Sequence, residues 1–315
     1  MSGPRNRRSL VVATACAIVL AGLAPALIMG CASTRPRAIA QEWFDLGNAW
    51  LEKGDWKQAG RAYSRALALD PSFAGASYNL ARALTEAGDY DKALQALDAL
   101  AKRDPKNIKI LSSRAYALYK KGDAKAALAA YRKVLALDDS SPDAVYNTAL
   151  LELAAGEASV AIADLRRLTD AKPDDGQAFL LLGRAIDQSS AGKASEDSDA
   201  AALAAYEKAK TLGKTDADAL VRMAALYEKG KRYPEAMDAL EAALKLDPKR
   251  AAAAFALARL RLVIADDADK GLEALKNALD AGFSDKDAAA ALLAEPDLPE
   301  RQKVFDLLKS KGLAE

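Results

Sequence analysis

Apolar residues recur at helical spacing along most of this chain, in runs separated by short polar breaks. The stretch "AQEWFDLGNAWLEKGDWKQAGRAYSRALALDPS" (40–72) sets the pattern. Trp43, Leu46 and Trp50 share one helical face, and Tyr63 and Leu67 share another. Between them, Gly54-Asp55 reads as a turn: glycine takes the positive φ that ends one helix, and Asp55 caps the next. Asp70-Pro71 then stops the second helix, because proline cannot continue the hydrogen-bond ladder. The pattern predicts two antiparallel helices, with the small Ala59 where they cross closely.

The same unit returns. Gly54, Gly88, Gly122 and Gly156 are spaced by 34 residues, and so are Ala59, Ala93, Ala127 and Ala161. Tyr63, Leu97, Tyr131 and Leu165 keep that step. Pro71, Pro105 and Pro173 keep it as well, with Asp139 at the missing place. A fixed period in this range marks a stack of helix pairs, each too small to bury its apolar face alone.

The signature positions Trp43, Leu46, Gly47, Trp50, Gly54, Ala59, Tyr63, Ala66 and Pro71 resemble the tetratricopeptide repeat. The resemblance implies an all-α fold: a right-handed superhelical α-solenoid of six to seven such helix-turn-helix units over 40–283, with a C-terminal cap over 284–315. Four units start near Ala40, Ala74, Ile108 and Pro142. A fifth, near Gly176, carries seven extra residues in an inter-helix loop over 187–200. A sixth starts near Ala217, its turn glycine slipped one place to Gly230. The seventh, from Ala251, has Gly271 for the expected alanine and one inserted residue. Ser284 is the expected cap of a short helix, and Glu300–Lys311 the last amphipathic helix.

The first residues follow different rules. Arg5, Arg7 and Arg8 precede an apolar run, Leu10 to Met29, with no acid before Cys31. That is the layout of an export signal. The run ends in Ile28-Met29-Gly30-Cys31, which resembles the lipobox of bacterial lipoproteins. The resemblance implies a signal peptide over 1–30, lipid on the Cys31 thiol and a lipidated tether over 31–39. It also implies a periplasm-facing protein of the bacterial envelope, and Ala32 after the cysteine favours the outer membrane. An uncleaved signal anchor is the other reading. Without residues 1–30 the chain has 42 bases and 44 acids, a net charge of −2.

Composition then narrows the chemistry. Near neutrality argues against a dedicated nucleic-acid binder. The chain has no histidine, which removes Ser-His-Asp triads and the usual zinc sets. No phosphate-binding glycine loop or metal-ligand spacing occurs, so no enzyme, cofactor or metal is expected. "SEDSD" (195–199) reads as flexible loop, and the tryptophans at 43, 50 and 56 as core.

What remains is the inner face of the first helix in each pair. On the family pattern its candidates are Asn48, Tyr78, Asn79, Arg82, Lys109, Tyr116, Tyr119, Tyr146, Asn147 and Arg184. Tyrosine, asparagine and arginine together suit an extended peptide: rigid contact area beside adaptable hydrogen bonding. Asn48, Asn79 and Lys109 hold three of the five positions of the family's carboxylate clamp, but Phe44 and Ser113 replace the other two bases, so that clamp is not expected. The expected function is a non-enzymatic scaffold that holds a segment of an envelope protein. The alternative is an accessory lipoprotein of a transport system that binds a small hydrophobic molecule or lipid.

Overall fold

The computed structural model describes residues 35–191, 195–265 and 267–315. Cys31, the apolar run and the signal-peptide reading lie outside them. Among the described residues every regular element is helical, and no helix is long and apolar enough to cross a membrane. Contacts divide the chain into two units, the first ending at Thr148 and the second starting at Ala149.

The first unit holds α1 (Arg35–Glu52), α2 (Trp56–Leu69), α3 (Ala74–Glu86), α4 (Tyr90–Arg103), α5 (Ile108–Lys121) and α6 (Ala124–Leu135). The division falls within α7 (Pro142–Ala154). The local rules read from the sequence hold. Gly54, Gly88, Gly122 and Gly156 all take positive φ, between 73° and 88°. Asp55 accepts from the Gln58 N–H at 3.0 Å as the cap of α2, and Asp123 caps α6 the same way. α1, however, begins at Arg35, so the tether expected over 31–39 is helical from there. Pro36, whose fixed φ suits the first turn of a helix, sits at that start.

In the first two pairs a small residue of the first helix meets a large one of the second, whereas the third pair sets Ala115 at the register of Tyr131. A Cβ on Gly47 would lie 2.5 Å from the Tyr63 ring, so only glycine lets α1 cross over that tyrosine. In the next pair the small residue is Ala81, and it packs in one buried cluster with Leu97. Where the large residue shrinks from tyrosine to leucine, the small one grows from glycine to alanine, and the gap stays filled.

The three tryptophans are only partly core: Trp43, Trp50 and Trp56 are each half-buried, and Trp50 packs against the buried cluster of Ala59, Tyr63 and Ala83. On its outer side Trp50 carries the Lys53 ammonium 5.0 Å above its ring.

The second unit holds α8 (Ala158–Ala171), α9 (Gly176–Ser189), α10 (Glu196–Thr211), α11 (Ala217–Lys229), α12 (Tyr233–Leu246), α13 (Ala251–Arg259), α14 (Ala268–Asp280), α15 (Lys286–Ala294) and α16 (Arg301–Ser310). The glycine-over-tyrosine crossing returns here: a Cβ on Gly183 would lie 2.7 Å from the Tyr206 ring. "SEDSD" is not loop but the start of α10, where Ser195 and Ser198 form a reciprocal capping box. Asp199 in that turn pairs with Lys229 and, at 3.7 Å, with Arg222.

Two irregularities have local causes. The glycine of the sixth repeat slipped to Gly230, but the turn did not follow it: Gly230 has φ −80°, and Lys231 takes the left-handed place at φ 58°. In the seventh repeat the inserted residue is absorbed by a π-helical turn, Leu260–Ile264, that continues α13. That turn presses Leu262 against α14, where a Cβ on Gly271 would meet the leucine side chain at 2.6 Å. This is why glycine replaces the alanine of other repeats. At the end of the chain Asp285, not Ser284, caps α15, accepting from Ala288 N–H at 3.0 Å.

Candidate functional site

Successive first helices of the pairs, α3, α5 and α7, turn the same face inward. Spacings of three and four residues keep Tyr78, Arg82 and Glu86 in line on α3, Lys109, Ser112, Ser113 and Tyr116 on α5, and Asp143 and Asn147 on α7. With Leu51, Trp56, Ile108 and Tyr131 they line a groove of about 490 Å³ within the first unit.

Its walls are braced by hydrogen bonds. Tyr63 Oη donates to Asn48 Oδ1 at 2.8 Å, and Asn79 Nδ2 donates to the same oxygen at 3.0 Å. Tyr78 Oη and Ser113 Oγ share a hydrogen bond of 3.0 Å that ties α3 to α5. Asn147 Nδ2 donates to the Asp143 carbonyl at 2.7 Å, inside its own helix.

Other groups face the groove uncommitted. Arg82 leans over the Tyr78 ring at 5.9 Å and forms no ion pair with a described residue. Lys109 is exposed and likewise without one. Glu86 is tethered loosely to Lys120, 3.9 Å away. Burial and the Glu86 charge raise the Tyr116 phenol above its ordinary value. Tyr131 is 1% exposed, lines the groove, and makes no hydrogen bond with any described residue. Burial foremost holds its phenol well above the usual range, so it stands as a neutral donor.

The structure thus divides the ten residues expected on the inner face. Tyr78, Arg82, Lys109, Tyr116 and Asn147 come together in one groove. Asn48 and Asn79 are bound to each other behind it. Tyr119 is 40% exposed, and its ring lies tilted against that of Tyr116, 6.5 Å away, without lining the groove. Tyr146 is half-buried outside the lining. Arg184 lies in the second unit and is ion-paired with Asp216. Phe44 packs on Tyr63 and Phe73, at 5.7 and 4.8 Å, which matches the absence of a clamp base there. Glu86, Trp56 and Tyr131 line the groove unforeseen. Tyr131 holds a signature core position, and nothing in its spacing shows that its hydroxyl reaches an opening.

The fold defines a class: a stack of helix-turn-helix repeats. More closely, residues 35–250 are tetratricopeptide repeats. A model of the cytochrome c-type biogenesis protein H TPR domain matches 35–144, and two tetratricopeptide-repeat models match 146–219 and 217–250. No curated protein matches the chain. Among solved structures, a tetratricopeptide repeat protein from Parabacteroides merdae is 17% identical, with a TM-score of 0.53 over 81% of this chain and 98% of its own. PilF of Pseudomonas aeruginosa is 18% identical, with a TM-score of 0.58 over 68% of this chain and 94% of its own. YrrB, a TPR protein with an unusual peptide-binding site, is 18% identical, with a TM-score of 0.50 over 62% of this chain and 98% of its own. These likenesses establish the all-α repeat fold.

Proposed function

We propose that the chain is a non-enzymatic scaffold, tethered to the bacterial envelope by lipid on Cys31, that holds an extended partner segment in the first unit's groove. One observation carries the reading: Arg82, Lys109 and Tyr131 line the same groove, and none forms an ion pair or hydrogen bond with a described residue. Two free cations and a free donor suit a segment that offers carboxylate and backbone carbonyl oxygens. Tyr78 and Tyr116 add rigid flat area at low entropic cost. That a structurally similar repeat protein is described as peptide-binding supports the same use.

The test is capture of a stoichiometric partner from envelope extract. Tyr116→Ala with Lys109→Ala should release it, and a partner held as firmly by this variant removes the groove assignment. The anchor is tested separately. Cys31→Ala should abolish acylation and leave an unprocessed precursor, and unchanged cleavage and membrane extraction would refute it. A groove of about 490 Å³ also has the size of a small-molecule site. Its charged and hydroxyl lining argues against a hydrophobic occupant. Native mass spectrometry decides, since a co-purifying solute would favour that second reading.

A further inference from the structure

On another face of the first unit, α2 carries Lys57, Arg61 and Arg65 at four-residue steps, which places them in one line about 12 Å long. All three are exposed, and none forms an ion pair with a described residue. They border a trough of about 970 Å³, closed on its far side by Leu80 and Leu84 of α3. Lys92, also at its rim, is already held by Asp89 at 2.6 Å.

This is not the ordinary solvated face of a repeat. The three positions recur as Asp91, Gln95 and Ala99 in the second repeat and as Lys125, Ala129 and Lys133 in the third. They are Ser159, Ala163 and Arg167 in the fourth, Ala200, Ala204 and Lys208 in the fifth, and Pro234, Asp238 and Ala242 in the sixth. Only the first of these six repeats keeps a cation at all three, in a chain whose net charge is +1.

Its position says what it faces. Arg37 Nε lies 3.7 Å from Asp70 Oδ2, so the start of α1 rests against the end of α2. Cys31 is six residues before Arg37 in the chain. The Arg65 end of the line is therefore near the start of α1, and the line runs away from there towards Lys57. Ile39 and Leu69, both large and apolar, are 39% and 38% exposed at that same end.

We infer that this line is a second membrane contact: Lys57, Arg61 and Arg65 lie along an anionic phospholipid surface and lay the first repeat flat on the bilayer, leaving the groove side open. The occupant is the phosphate layer of the leaflet that holds the N-terminus. A basic residue near an anionic leaflet strengthens association by about fivefold, within a Debye length. The inference takes the orientation from the lipid-anchor reading, but the charge pattern stands without it.

The full chain, purified from membranes, is reconstituted into vesicles of phosphatidylethanolamine with phosphatidylglycerol, or of phosphatidylcholine alone. All three tryptophans, at 43, 50 and 56, are in the first repeat, so quenching of their emission by brominated acyl chains reports its approach to the bilayer. Quenching should be roughly twofold stronger on phosphatidylglycerol and should fade in about 0.5 M salt. Lys57→Gln with Arg61→Gln and Arg65→Gln should lower it to the phosphatidylcholine level. Lys125→Gln with Lys133→Gln should not change it. Equal quenching on both vesicles, or full quenching by the triple variant with unchanged circular dichroism, overturns the inference. An unlipidated Cys31 with charge-dependent quenching removes the anchor and keeps the cation line. A lipidated Cys31 with charge-independent quenching does the reverse.

Discussion

Arg82 of the first unit and Arg184 of the second hold the same place in their repeats, yet only Arg184 is ion-paired. The difference is one residue at the head of the following helix pair. In the second unit that residue is Asp216, which caps α11 and takes the Arg184 guanidinium as well. In the first unit it is Asn107, which caps α5 equally but carries no charge. Both caps satisfy backbone N–H groups, so the fold is indifferent to the choice. The groove is not: asparagine leaves Arg82 free. The phenols at one repeat position differ too: Tyr63 donates to Asn48 and Tyr206 to Asp187, each at 2.8 Å, while the Tyr131 hydroxyl bonds to no described residue. Most inner polar groups are internal ties, and Arg82 and Tyr131 of the first unit are the exceptions of this comparison.

The sharpest way to break this comparison is partner binding. Arg82→Ala with Lys109→Ala should weaken it about 30-fold, on the scale of a binding hot spot, while Arg184→Ala leaves it unchanged. Equal effects in titration calorimetry would show that the two arginines do not differ in use. Next comes packing, where the units should agree. Gly47→Ala drives a methyl into Tyr63 and Gly183→Ala into Tyr206, and each should cost about 2 kcal/mol in chemical denaturation. The bonded and unbonded phenols should differ next. Tyr206→Phe loses a hydrogen bond and should cost about 1 kcal/mol, whereas Tyr131→Phe should be near neutral for stability and weaken binding.

The same phenols set an alkaline limit. Burial and then Glu207 hold Tyr227 up to about 12, and burial and Asp187 raise Tyr206 further. The fold keeps protons that the unfolded chain releases near pH 10. Stability should hold below that pH and fall as the pH climbs towards 12, with tyrosinate absorbance appearing as unfolding proceeds. The smallest effect belongs to the slipped turn. Lys231→Gly should stabilise by about 0.5 kcal/mol, because a side chain leaves the left-handed region.

The fold was legible because its rules are local. Turn glycines, aspartate caps and a 34-residue step each act within a few residues, and four glycines in a row repeat the message. The candidate site was legible only in part. Tyr78, Arg82, Lys109, Tyr116 and Asn147 follow from helix spacing and do meet in the groove. Arg184 follows from the same spacing, but its partner Asp216 stands 32 residues further on, beyond the reach of a pattern within one repeat. Asn48 and Asn79 follow from the spacing too, but they bond to each other, because two adjacent repeats bring them within 3.0 Å. The tryptophans show the same gap: their signature positions imply core, but each is only half-buried.

The π-helical turn at Leu260–Ile264 and Gly271 have a shared history written into their contact. An extra residue that widens a helical turn moves a leucine towards the next helix, and a missing methyl makes room for it. Neither change suits the stack by itself: the wide turn would collide with alanine, and glycine beneath a regular turn would leave a hole. The two are tolerated as a pair, so their effects should be epistatic. Deleting one residue from 260–264 should make Gly271→Ala favourable, although the same substitution damages the natural chain. A repeat array can in this way take up an insertion without passing the phase error on to the helices that follow.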